Sequence, residues 1–107
     1  MNSVIDNGPV LSVITKIELL SFNGSPREHA FLNDFIDYSS VVRIEDEIVL
    51  EAIAIRRKKK VKTPDAIIAS TAKVLGLTLL TRNTNDFRNI PDLRIVDPWE
   101  LEVDLGW

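Results

Sequence analysis

A chain of 107 residues can hold one compact domain with a single core and is too short for two of typical size. With 45% hydrophobic and 27% charged residues it lies outside the composition of disordered chains, and its lack of cysteine excludes disulfides and thiolate metal sites. The net charge of −3 argues against a uniformly basic nucleic-acid binder, yet six of the 13 basic residues fall in Arg56–Lys62, "RRKKKVK", which predicts a positive edge on an acidic molecule.

In chain order, "VLSVI" (10–14) reads as a buried strand and "TKIELLSF" as the helix after it, with Thr15 at the N-cap and Gly24 closing the unit. "SPREHAFLNDFIDYS" (25–39) is an amphipathic helix with Ser25 as N-cap, Pro26 at its first position and Glu28 completing a capping box. Its apolar face is Phe31, Leu32, Phe35 and Ile36. "VVRI" (41–44) is a short strand, and "EDEIVLEAIAIRRKKK" (45–60) is a helix opened by acids and closed by bases, as the macrodipole favours. The next helix has Thr63 as cap and Pro64 at its start, and it runs to about Leu75, where Gly76 supplies a left-handed stop. "LTLLT" (77–81) is a strand, "TNDF" a short helical turn, Ile90-Pro91 a break, and "LRIVD" (93–97) a last strand before Pro98.

Helices alternating with apolar strands predict an α/β fold, a mostly parallel sheet covered on both faces. In such sheets the functional edge lies beyond the carboxyl ends of the strands. Glu18 follows "VLSVI" and Asp86 follows "LTLLT", so both are placed toward that edge, while Asp65 opens the helix before "LTLLT". Each acid also has a local reading. Glu18 completes a T-x-x-E capping box with Thr15, Asp65 gains from the dipole of a Thr-Pro helix start, and Asp86 braces a turn. Capping does not account for "TRN" and "NDF" directly after a strand, with Arg82 and Arg88 beside them. The lone His29 rules out a histidine-rich metal site, so any cation here would be held by oxygen, magnesium or manganese before zinc.

"SVITKIELLSF", "KTPDAIIASTAKVLGLTLLTRNTNDF" and "IPDLRIVDPW" resemble, in order, the signature segments of PIN-domain proteins, specifically the VapC-type toxins of toxin–antitoxin pairs. The resemblance runs from about Val10 to Trp99 within a single domain of 107 residues, with 100–107 as a C-terminal tail. It implies a Rossmann-like α/β domain and a magnesium- or manganese-dependent endoribonuclease, homodimeric and inhibited by a cognate antitoxin. Carried over by position, the family's acidic residues match Glu18, Asp65 and Asp86, and Asn83 stands where many relatives have another acid. These four are the expected metal ligands, the three acids being catalytic. Carboxylates gathered without a cation would repel one another and raise their own pKa values, and a divalent cation relieves that conflict.

The family's opening strand, ending in an aspartate, has no counterpart in this sequence. Asp6 imitates it, but only Asn7, Gly8 and Pro9 separate Asp6 from "VLSVI", and a parallel crossover needs about a dozen residues. The expectation is therefore an N-terminally truncated PIN-like fold with reduced metal affinity and RNA cleavage. Compensation would come from "VLSVI" pairing with "LTLLT", from residues 2–5 entering as a strand, or from exchange between protomers.

Around the acids, Arg82, Arg88 and Lys62 are the expected RNA contacts, and the whole basic run reads either as a steering patch for phosphates or as a solvated helix end. His29 reads as a surface residue, and Trp99 and Trp107 as packing or interface residues. With no secretory leader, no apolar run of membrane-spanning length (Glu51 and Lys73 interrupt the candidates) and no cysteine, a cytoplasmic protein without membrane association is expected. The alternative to a ribonuclease is an inactive PIN remnant that binds an antitoxin or a sister chain through its apolar helices. Four glycines without G-x-G-x-x-G leave no nucleotide-phosphate cradle.

Overall fold

The computed structural model describes residues 9–81 and 83–97. These form two compact units, one ending at Ile44 and the other beginning at Glu45. Asp6, Arg82, Trp99, Trp107 and the expectations attached to residues 2–5 and to the tail lie outside the described residues. Among the described residues no helix is long and apolar enough to cross a membrane.

In the first unit, β1 (Val10–Ser12) leads directly into α1 (Val13–Leu20), followed by α2 (Pro26–Tyr38) and β2 (Ser40–Val42). β1 and β2 pair in parallel, with Val10 opposite Ser40 and Ser12 opposite Val42. The strand is shorter than "VLSVI" because buried Ser12 caps the helix, its hydroxyl accepting from the Ile14 N–H at 3.1 Å. Thr15 is thus inside α1 and not its cap, and the helix stops at Ser21, whose N–H donates to Ile17 O, before Gly24 is reached. Gly24 serves another need, since a Cβ there would collide with the Phe22 ring. The α2 capping box forms as expected. Glu28 N–H donates to Ser25 Oγ at 3.1 Å, and Ser25 N–H to Glu28 Oε1 at 2.8 Å. The expected apolar face of α2 is only partly covered, with Ile36 buried and Phe31 70% exposed.

The second unit contains α3 (Asp46–Lys58), α4 (Thr63–Leu75), β3 (Leu79–Leu80), the short α5 (Thr84–Phe87) and β4 (Ile95–Val96). β3 and β4 pair in parallel, Leu79 opposite Ile95. Each strand of the described residues thus has its parallel partner within its own unit. The core is built where small residues let α3 and α4 approach: Ala52 and Ile55 from α3 meet Ala66 and Ala69 from α4, closed by Phe87 and Ile90. Two buried hydroxyls in α4 are satisfied within the helix, Ser70 Oγ donating to Ala66 O at 2.6 Å and Thr71 Oγ1 to Ile67 O at 2.8 Å. Glu51 and Lys73, the two charges that interrupt the apolar runs, pair with each other at 2.7 Å. Lys62, not Thr63, occupies the N-cap position of α4, and Gly76 ends the helix in the left-handed region at φ 68°.

Candidate metal and nucleic-acid site

Three of the residues singled out in the sequence, Asp65, Asp86 and Lys62, line one cavity of about 250 Å³ in the second unit. Local folding explains each placement. Pro64 opens α4 and sets Asp65 in its first turn, where a carboxylate also gains from the helix dipole. Asp86 stands in α5, one residue before Phe87, which is buried in the core and pins the turn.

The two carboxylates feel each other. Partial burial pushes the Asp65 carboxyl above its ordinary value, the charge of Asp86 pushes it further in the same direction, and Lys62 opposes both. Asn83, which precedes α5, donates its side-chain amide to Asp86 Oδ2, and its backbone N–H donates to Thr81 Oγ1 at 3.0 Å. Asn83 therefore orients the Asp86 carboxylate. Arg88 is exposed at the end of α5 and does not line the cavity, and Arg82 lies outside the described residues.

Glu18 is on an exposed position of α1, in the other unit, past the first helical turn. The capping-box reading fails for it, because Thr15 is not at the helix start and the first turn carries no acid. Among the described residues no group of three or more His, Asp or Glu side chains is gathered to hold a metal. What the second unit offers by itself is a pair of carboxylates, and magnesium needs only one or two when waters and substrate phosphates complete its shell.

The cavity wall also includes Lys59 and Lys60 of the α3–α4 loop, which the sequence places in the basic run without separating them from its other members, and Asn85 and Asn89, on and after α5, to which the sequence pattern assigns no role. Asn85 stands within α5 and Asn89 in the turn that follows it, so helical spacing does not bring them together and the sequence carried no signal for the pair.

A PIN domain model matches residues 4–93, crossing the boundary between the two units and beginning before Val10, where the signature segments start. A chain from a toxin–antitoxin complex of Klebsiella pneumoniae is 30% identical, with a TM-score of 0.72 over 90% of this chain and 81% of that one. A chain from DNA-bound VapBC of Salmonella typhimurium is 27% identical, with a TM-score of 0.76 over 87% of this chain and 78% of that one. FitAcB from Neisseria gonorrhoeae, 23% identical with a TM-score of 0.71 over 89% of this chain and 78% of that one, shares the fold. No curated protein sequence matches the chain. With its parallel strand pairs, its Pro-Asp helix start and its Asn-Asp-Phe turn, the chain belongs to the PIN domain family, and within it to the VapC type.

Proposed function

We propose that this chain is a magnesium- or manganese-dependent endoribonuclease toxin restrained by a cognate antitoxin. The observation that carries this reading is the convergence of Asp65 and Asp86 on one cavity whose wall bears lysines. Partial burial, and next the charge of Asp86, raise the Asp65 carboxyl, the direction that a bound cation would oppose, and hard carboxylate oxygens suit a small divalent cation. The donor set therefore fits such an ion: Asp65 and Asp86 would hold it, with Asn83 as a neighbouring oxygen donor and Glu18 assigned by its place in the family pattern alone. When bound, the ion would activate the attacking water and offset charge developing on the phosphoryl oxygens.

The chain's own residues supply position and field. The start of α4 fixes Asp65, Phe87 fixes the turn that carries Asp86, and the Asn83 amide turns Asp86 Oδ2 to one orientation. Lys62 attracts the phosphate backbone toward two acids that would otherwise repel it, with Arg82 and Arg88 as further RNA contacts. The antitoxin partner is supported by the relatives, whose structures are of toxin–antitoxin complexes. Exposed Phe22, Phe31 and Tyr38 support a protein-binding face, for an antitoxin or for a second copy in a homodimer. The same observation favours the alternative of an inactive module that only binds. Cleavage separates the two. Purified protein incubated with RNA and magnesium or manganese should cut it, chelator should stop the cutting, and Asp65→Asn and Asp86→Asn should each abolish it. Metal-dependent cleavage that persists undiminished in both variants would overturn the assignment, and no cleavage by the unaltered chain would leave the binding module.

A further inference from the structure

The α3–α4 loop, residues 59–62, is held in a defined form from both sides. Val61 packs its side chain against the second unit's core, and its carbonyl accepts from Arg56 Nε at 3.0 Å. Its N–H donates to Lys59 O at 3.1 Å, so the chain reverses tightly about Lys60. Lys59 ends α3 in an extended conformation, with φ −131° and ψ 151°, and Lys62 enters α4 in another, with φ −66° and ψ 149°. One apolar residue thus anchors the loop, and the three lysines around it line the cavity that contains Asp65 and Asp86. A run of cations at a helix end is ordinarily a solvated terminus. Arg57 and Lys58, exposed in the last turn of α3 and absent from the cavity lining, fit that description.

We propose that Lys59 and Lys60, together with Lys62, form a built phosphate-binding wall that seats the backbone of single-stranded RNA beside the Asp65–Asp86 pair, with Arg56 and Val61 as the residues that position the loop. This rests on the ribonuclease reading and deepens it. The Asp65–Asp86 pair on a chain of net charge −3 repels a polyanion, so a substrate strand needs local cations to lie beside it. The wall supplies them on the side of the cavity formed by the loop, and Asn85 and Asn89 add uncharged hydrogen-bonding groups to the lining.

The test is the salt dependence of RNA binding, measured by fluorescence anisotropy on the full chain with a short single-stranded RNA, in chelator so that no cleavage occurs. Removing one phosphate-neutralising cation lowers the slope of log K against log salt by about 0.7 for a single strand, so the double variant Lys59→Gln/Lys60→Gln should lose about 1.4. Arg57→Gln/Lys58→Gln, with the same change of charge on adjacent residues, should lose clearly less. Equal losses in the two double variants would mean a diffuse field and no wall, and an unchanged slope in the loop variant would overturn the proposal outright. Arg57, Lys58 and Lys60 are exposed and Lys59 is half-buried; thermal melting of each variant, expected to stay close to the unaltered chain because none of the four is in the core cluster, separates loss of RNA binding from loss of fold. Metal-dependent cleavage by the unaltered chain, assayed in parallel, distinguishes the two levels. A flat slope change with cleavage intact removes the wall and keeps the nuclease, whereas the expected slope change without cleavage keeps the wall and removes the nuclease.

Discussion

Phe87 is the point at which core and site meet, and truncating it tests both. It is 4% exposed and packs in the cluster of Ala52, Ile55, Ala66, Ala69 and Ile90. Three of those neighbours are alanines in paired helices, which have no longer side chain to swing into the space. Phe87→Ala should therefore sit at the costly end of large-to-small substitutions, about 3–5 kcal/mol, including both lost burial and the cavity left behind. Against a total stability of about 5–15 kcal/mol that is a large fraction. In urea, with a slope of about 1.5 kcal/mol per molar, the unfolding midpoint should fall by about 2–3 M. Phe87→Leu fills most of the same volume and should cost about 1 kcal/mol, leaving the Asp86 turn in place and divalent-cation binding intact. A midpoint shift of less than about 0.5 M for Phe87→Ala would show that the residue is not a core anchor, and the account of how Asp86 is positioned would fail with it.

Gly76 has a left-handed φ of 68° and open space where a Cβ would stand, so Gly76→Ala should cost about 1 kcal/mol from backbone strain alone. Gly76→Asn should cost less, and thermal melts would rank the two. Asp65 predicts a pH effect whose sign is opposite to that of a salt-bridged acid. Because its folded pKa is raised above the ordinary 3.8, the native state binds more protons than the unfolded chain between the two values. Stability therefore falls as pH rises through that window and the penalty is complete above it. In chelator, Asp65→Asn should melt higher than the unaltered chain at neutral pH and the same below the window. A variant that melts lower at neutral pH would contradict the cause assigned to the shift.

The elements with strong local chemistry were legible from sequence. The Ser25–Glu28 box, the Pro64 start and the Gly76 stop each restrict the backbone locally; α2 has its expected extent, and α4 ends at Leu75 as expected but begins one residue early, at Thr63. Boundaries that depend on tertiary context were not. "VLSVI" and "TKIELLSF" divide at Ser12 because a buried serine there can cap the helix, and nothing in the apolar pattern distinguishes Ser12 from Thr15 as the cap. The strands are short because parallel pairing is set by the neighbouring strand, not by the run of apolar residues. At the site, Asp65, Asp86 and Lys62 were recognisable because family pattern and helix-start chemistry coincide on them. Lys59 and Lys60 were hidden in a charge run whose members look alike until Val61 anchors the loop and separates wall from solvated helix end. The hydrogen bond from the Asn83 side-chain amide to Asp86 was invisible for a similar reason, since the direction of a side chain is not written in its spacing.

The central claim is that Asp65 and Asp86 share one divalent cation. Calorimetric titration of manganese into the unaltered chain, Asp65→Asn and Asp86→Asn tests it most directly. Removing even an outer-shell partner of a metal typically weakens binding about 10–100-fold, so loss of either carboxylate should do at least that, with the same site lost in both variants. Manganese binding with unchanged affinity in either single variant would contradict the account.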